Sequence, residues 1–228
     1  MTEIDYSGNP NQRTPCVLVL DASGSMDAKT SSGKTRIQEL NEGIQALKAE
    51  LQADDTALVR VMLSIVIVGG PTNDAEVLMD WTDATQFQPF PLRADGTTPL
   101  GKGLTIGLEL IEEAKADLRA NGVSHTRPWM IVISDGDPTD SGDAWQNAVL
   151  ECQSAEAQRK VEIFSIGVDG ANLTTLGRIS QKPALSIQSV KFRELFVWLS
   201  ASLSAASRSR PGDTVSLPST DPWRNVGI

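Results

Sequence analysis

The stretch that decides the fold is Cys16-Val17-Leu18-Val19-Leu20-Asp21-Ala22-Ser23-Gly24-Ser25. Its first half is an unbroken apolar run, the pattern of a central strand covered on both faces. Its second half is a turn of small polar residues that begins abruptly on a carboxylate. Working outward, a Gly- and Ser-containing stretch runs on to Lys34, and then Ile37, Leu40, Ile44, Leu47 and Leu51 recur at spacings of three and four. That spacing predicts a helix with one apolar stripe.

The alternation continues along the chain. Val59 to Val68 reads as a second strand stopped by Gly69-Gly70-Pro71, and Glu76 to Trp81 as a short strand folded back antiparallel on it. Asp83 to Thr98 is irregular, and Pro99 to Leu118 is a helix with Leu100, Leu104, Leu108 and Ile111 on one face. Trp129 to Ile133 is another fully apolar strand, followed by Ser134-Asp135-Gly136. A helix over Gly142 to Lys160, a strand over Val161 to Val168, a short helix over Asn172 to Ile179, a weak edge strand over Ala184 to Val190 and a last helix over Phe192 to Ala206 complete the pattern. Strands and helices in this order predict an α/β, Rossmann-like, doubly wound, mostly parallel sheet with one antiparallel edge strand. The expected organisation is a polar segment over 1–13, one domain over 14–206 and a tail over 207–228, where Ser, Arg, Pro and Gly take over. Trp223 in that tail is expected to anchor it, on the domain or on a partner.

The 228 residues are enough for one α/β domain with a full core. Apolar residues make up 40% and charged residues 21%, ordinary values for a globular chain. A net charge of -9 argues against general nucleic-acid binding. The longest apolar run, Val59 to Val68, carries Arg60 and Ser64 and is too short to span a bilayer. Met1 to Thr14 contains no apolar core of a signal peptide, and Cys16 and Cys152 lack metal-ligand spacing, so a cytoplasmic location with reduced thiols is expected.

Three polar motifs fall where loops converge at the carboxyl ends of the strands, the place where open parallel sheets bind ligands. They are Asp21-x-Ser23-x-Ser25, Gly96-Thr97, and Asp135-Gly136. The set offers carboxylates and hydroxyls without thiolate or imidazole. Such an all-oxygen set suits a hard divalent cation, magnesium first and manganese or calcium next. Ser23, Ser25 and Thr97 are the expected direct ligands, with Thr97 preferred over Thr98 because it follows the glycine. Asp21 and Asp135 are expected to hold metal-bound waters and orient the hydroxyls.

These five residues in this order resemble the von Willebrand factor A domain with its metal-ion-dependent adhesion site. The resemblance covers about residues 14–206 by motif and element order. It implies that a protein partner completes the metal's coordination with an acidic side chain, hence a binding module and not an enzyme. The short chain and its Leu217-Pro218…Trp223 tail also resemble the TerY-like proteins of bacterial tellurite resistance, which implies a stress-response adaptor. Asp95 departs from the family pattern, which has glycine before Gly96-Thr97 in many members.

Plainer readings stand beside this one. Asp21 or Ser25 could simply cap the following helix, and Asp135-Gly136 could be an ordinary turn. Gly96 to Gly103 and Ser32-Gly33-Lys34-Thr35 each imitate a phosphate loop, but the first puts glycine at the Ser/Thr ligand position and the second lacks the leading glycine. The rival from another class is Asp135-x-Asp137-x-Thr139, which matches the nucleophile motif of a magnesium-dependent haloacid-dehalogenase-type phosphatase, with Lys182 as a possible stand-in for that family's lysine. It comes too late in the chain for that motif. His125 reads as a surface histidine, and Trp81, Trp129, Trp145 and Trp198 as core or interface.

Overall fold

A computed structural model describes residues 9, 11–168, 170–187, 192–209 and 215–219. Nine residues from Thr14 to Ala22 form β1, every one of them buried. Two parallel neighbours explain why. β2 (Val61–Gly69) pairs along its whole length on one side, and β4 (Trp129–Ser134) pairs on the other. Alternate side chains of β1 then enter two separate cores. Cys16, Leu18 and Leu20 face one, and Val17 and Val19 face the other. The first core is closed by α1 (Arg36–Ala53) and α6 (Phe192–Arg208), the second by α3 (Leu100–Ala120) and α4 (Gly142–Ala157).

The sheet has six strands in the order β3-β2-β1-β4-β5-β6. β5 (Glu162–Gly167) and the two-residue β6 (Leu185–Ser186) extend it in parallel. β3 (Asp74–Asp83) runs antiparallel to β2 at the opposite edge. This is the mostly parallel α/β sheet with one antiparallel edge strand expected from the sequence. Because β1, β2, β4 and β5 are parallel, the turns after Asp21, Gly69, Ser134 and Gly167 all open on one rim.

The structure corrects several boundaries. Val59 and Arg60 belong to a short helix, α2 (Asp55–Arg60), and the strand starts only at Val61. The cause is Asp54, whose Oδ1 accepts from the amides of Thr56 and Ala57 and caps that helix. The same carboxylate takes hydrogen bonds from Ser204 Oγ at 2.6 Å and Arg208 Nη2 at 2.7 Å, so it ties α2 to α6. The short helix predicted over Asn172 to Ile179 is one turn, α5 (Leu173–Leu176), capped by Asn172. The predicted edge strand over 184–190 is described only through Ile187, and residues 188–190 lie outside the described residues. Trp223 lies outside them too. Nearer the domain, Trp198 Nε1 donates to the carbonyl of Pro218 at 2.9 Å, and Leu217 packs on the first core.

The four tryptophans read as core or interface, Trp81, Trp129, Trp145 and Trp198, are all buried. Cys16 and Cys152 are free thiols in opposite cores; burial pushes the first well above the usual thiol range and the second up to about 12. α1 and α6 approach closely at Gly43, where a Cβ would lie 2.4 Å from the Phe196 ring. No helix among the described residues is long and apolar enough to cross a membrane.

Asp54 supplies a test of this packing. Burial raises its affinity for a proton, but the Ser204 hydroxyl, the two helix amides and Arg208 outweigh that and hold its carboxyl down at about 2. A carboxyl depressed in the folded state stabilises the fold above its unfolded value, about 3.9, and loses that effect as pH falls toward 2. Asp54→Ala should therefore lower unfolding free energy by about 1–3 kcal/mol at pH 7. The difference from the parent chain should shrink as pH falls from about 4 to 2 in urea titrations.

Candidate metal centre

The site grows from the end of β1. Asp21 is the last residue but one of that strand, and its carboxylate is fully buried. Oδ1 accepts from the backbone amide of Ser23 at 2.8 Å, which folds the chain back on itself. Oδ2 accepts from Ser134 Oγ at 2.6 Å, from the end of β4. Burial raises the proton affinity of Asp21. The bonds from Ser134 and Ser23 oppose this, and the nearby Asp135 charge adds to it, leaving the carboxyl above its ordinary value.

The turn after Ala22 is a short 3₁₀ segment over Gly24–Asp27. It presents Ser23 Oγ and Ser25 Oγ 3.0 Å apart, and Ser25 Oγ donates to Asp135 Oδ2 in a close contact. Asp21, Ser23, Ser25 and Asp135 are thus linked around one point. The capping explanation does not hold for the first motif. Helix α1 is capped by Thr35, whose side chain accepts from the amide of Gln38 while Gln38 returns the bond to Thr35.

Asp135 follows β4 directly, and Gly136 behind it has φ +83°, with a would-be Cβ 2.8 Å from the Asn172 carbonyl. Only glycine fits that left-handed, crowded position. The turn is pinned by Gly136 N–H to Ser134 Oγ at 3.0 Å and by Asn172 N–H to the Asp135 carbonyl at 2.7 Å. Asp135 is 8% exposed, and among the described residues its buried Oδ1 has no hydrogen-bond partner. An ionised oxygen in that condition calls for a cation or an ordered water.

The second loop is brought alongside by backbone bonds. Gly24 N–H donates to the Gly96 carbonyl at 3.0 Å, and Asp95 N–H to the Ala22 carbonyl at 2.9 Å. Thr97, the residue assigned from sequence, is exposed, and both its amide and its hydroxyl donate to Asn73 Oδ1, at 2.6 and 2.9 Å. It is not hydrogen-bonded to the other four. Its neighbour Thr98 is buried and is laced to the third loop through its backbone. The Thr98 amide donates to Thr139 Oγ1 at 3.1 Å, and the Thr139 amide to the Thr98 carbonyl at 2.9 Å. Among the described residues no hydrogen bond uses the Thr98 hydroxyl.

Sequence reasoning did not single out Ser134, Asn73 or Arg36. Ser134 joins two site loops, Asn73 holds the threonine loop, and Arg36 Nη1 donates to the Ser25 carbonyl at 3.3 Å and lies 3.9 Å from Asp135 Oδ2. For Ser134 a signal existed, since it ends a strand one residue before a site carboxylate. For the other two the contacts are tertiary and leave no local pattern.

Among the described residues no three His, Cys, Asp or Glu side chains gather as a metal-holding group. The donors present here are two carboxylates and several hydroxyls, and the orphaned Asp135 oxygen is the observation that fits a hard cation among them. The phosphatase reading finds no support in the geometry. Asp137 is exposed and accepts from Asn172 Nδ2 at 3.2 Å. Lys182 pairs with Glu156 and Glu162, and Glu162 is level with Trp129 at the far end of β4. Five strand residues separate that level from Ser134, about 16 Å.

With this geometry in hand, comparison places the chain among known proteins. The model of the von Willebrand factor type A domain matches residues 16–197. Among solved structures, the pilus adhesin SpaC from Lactobacillus rhamnosus GG is similar with TM-score 0.65 at 15% identity, over 85% of this chain and 31% of that one. The vWF domain of the type V pili tip protein Mfa5 from Porphyromonas gingivalis gives 0.63 at 12%, over 90% and 99%. Proximal thread matrix protein 1 from the mussel byssus gives 0.53 at 15%, over 86% and 49%. The chain thus spans about a third of SpaC and half of the byssus protein. At such identities the likeness establishes the fold alone. Among curated proteins none matches this chain.

The Ser134 link is open to direct measurement. Ser134→Ala leaves Asp21 Oδ2 and the Gly136 amide without their shared partner in a buried spot. Unfolding in urea with EDTA present should show a loss of about 1–3 kcal/mol.

Proposed function

The chain belongs to the von Willebrand factor type A domain family, and on that premise we propose that it is a metal-dependent protein-binding module and not an enzyme. The observation that carries the metal part is the unpartnered, buried Asp135 Oδ1 beside the Ser23–Ser25 hydroxyl pair. Ser23 and Ser25 would bind the cation directly, and Asp21 and Asp135 would hold its waters. The second loop would add one hydroxyl. Thr97 is the residue the motif designates, but its hydroxyl is committed to Asn73, so the uncommitted Thr98 hydroxyl is the better candidate.

Neutral hydroxyls as direct ligands leave most of the cation's positive charge uncompensated. An acidic side chain of a partner protein is then the natural ligand for the remaining position. Magnesium is the preferred ion, with manganese and calcium as alternatives. A cytoplasmic place in a TerY-like tellurite-resistance or stress system is part of the same proposal and rests on the sequence resemblance.

Titrating magnesium or manganese should raise the unfolding free energy, by about 2.7 kcal/mol at a free ion concentration one hundred times Kd. The effect should vanish in Asp21→Ala and Asp135→Ala, and in Thr98→Ala but not Thr97→Ala. Partners recovered on the immobilised protein should be lost in EDTA and with Asp21→Ala. Equal recovery in all conditions would end the metal-docking proposal, and loss with Thr97→Ala alone would return the ligand to Thr97.

A further inference from the structure

We propose that the hairpin between the first loop and α1 is a second cation site, of calcium type, built on Glu39. It shares no ligand with the site above and does not depend on the metal reading given there. Lys29 and Thr35 form an antiparallel bridge, the Thr30 amide donates to the Lys34 carbonyl at 2.8 Å, and the Gly33 amide to the Thr30 carbonyl at 3.0 Å. Gly33 takes φ +85° in this turn, a conformation that glycine adopts without strain. The hairpin closes on Glu39, one turn into α1. That residue is 6% exposed, and its Oε1 accepts from Thr30 Oγ1 at 2.8 Å and from Ser32 Oγ at 2.6 Å.

The other carboxylate oxygen points to a ligand. Oε2 is buried, and among the described residues nothing hydrogen-bonds to it. No ion pair among the described residues reaches Glu39 either, and Lys34 gives its ammonium to Glu42 at 2.7 Å. A buried carboxylate in that condition is short of positive charge. The two hydroxyls cannot make up the deficit, because each carries one proton. With both protons directed at Oε1, none remains for the approach of Thr30 Oγ1 to Ser32 Oγ at 2.9 Å or to the Lys34 carbonyl at 3.2 Å. Each hydroxyl oxygen accepts one long amide bond of 3.3 Å, from Ser32 and from Lys34, which leaves one lone pair apiece. Both Glu39 oxygens, the two hydroxyls and the Lys34 carbonyl thus gather as an all-oxygen set with a single charge. Calcium accepts irregular sets of roughly six to eight oxygens, waters included, whereas magnesium demands a near-ideal octahedron. One carboxylate puts the affinity at the weak end, with Kd about 10⁻⁴–10⁻³ M. A cation there clamps the hairpin to α1, and so fixes the span that runs from Ser25 to that helix.

The test is equilibrium dialysis of the full chain against radioactive calcium. The unmodified chain should hold one calcium ion more than Glu39→Gln, whatever the rim at β1 takes up. Ser32→Ala should keep that ion at about fivefold weaker affinity. Glu50→Gln, which alters an exposed acid on the same helix, should match the unmodified chain. Equal binding by the unmodified chain and Glu39→Gln, including none by either, overturns the assignment, and Oε2 then holds an ordered water only. An equal loss with Glu50→Gln overturns it too, as the mark of surface charge alone. If Glu39→Gln does not unfold cooperatively in urea, the Ser32→Ala shift decides in its place, and unchanged affinity there overturns the site.

Discussion

Everything at the upper rim of this sheet depends on burying two carboxylates at the ends of two adjacent strands. Asp21 is the last residue but one of β1 and Asp135 directly follows β4, and both are nearly inaccessible to water. Burying charge is costly unless the charge is bonded. Asp21 meets that demand internally, through Ser23 and Ser134. Asp135 meets it only in part, through the Ser25 hydroxyl and the distant Arg36 guanidinium, and among the described residues one of its oxygens has no partner. This asymmetry distinguishes a site from a set of turns. One carboxylate is architecture, and the other is unfinished.

The fold supplies the precision that such a site requires. β1 lies at the centre of the sheet, held by parallel neighbours on both sides and by a core on each face. A strand so placed cannot shift register without exposing an entire apolar row. Its carboxyl end is therefore a rigid point from which to project Asp21, Ser23 and Ser25. The second and third loops are then fastened to it and to each other by backbone bonds, as between Gly24 and Gly96 or between Thr98 and Thr139. Sites on loops that rest on fixed strand ends combine exposure with accurate placement.

Much of this was legible in the sequence, for identifiable reasons. The apolar runs at Cys16–Leu20 and Trp129–Ile133 have no other stable home than a doubly covered sheet, and the motif carboxylates follow them directly. α2 was hidden because Asp54 caps a helix of only six residues, too short to show a period. The Thr97 hydroxyl looked available by position, but Asn73 from the turn before β3 holds it. Arg36 and Ser134 act across elements far apart in the chain, and such contacts leave no trace in local spacing.

The proposed function requires this rim to bind a divalent cation through hydroxyls, with the two aspartates behind. A crystal grown with manganese, phased on the metal's anomalous signal, measures this directly. Manganese should be bonded to Ser23 Oγ and Ser25 Oγ, with Asp21 and Asp135 reaching it through water. Crystals that hold manganese elsewhere, or that show both aspartates bonded to it without the serines, would contradict it.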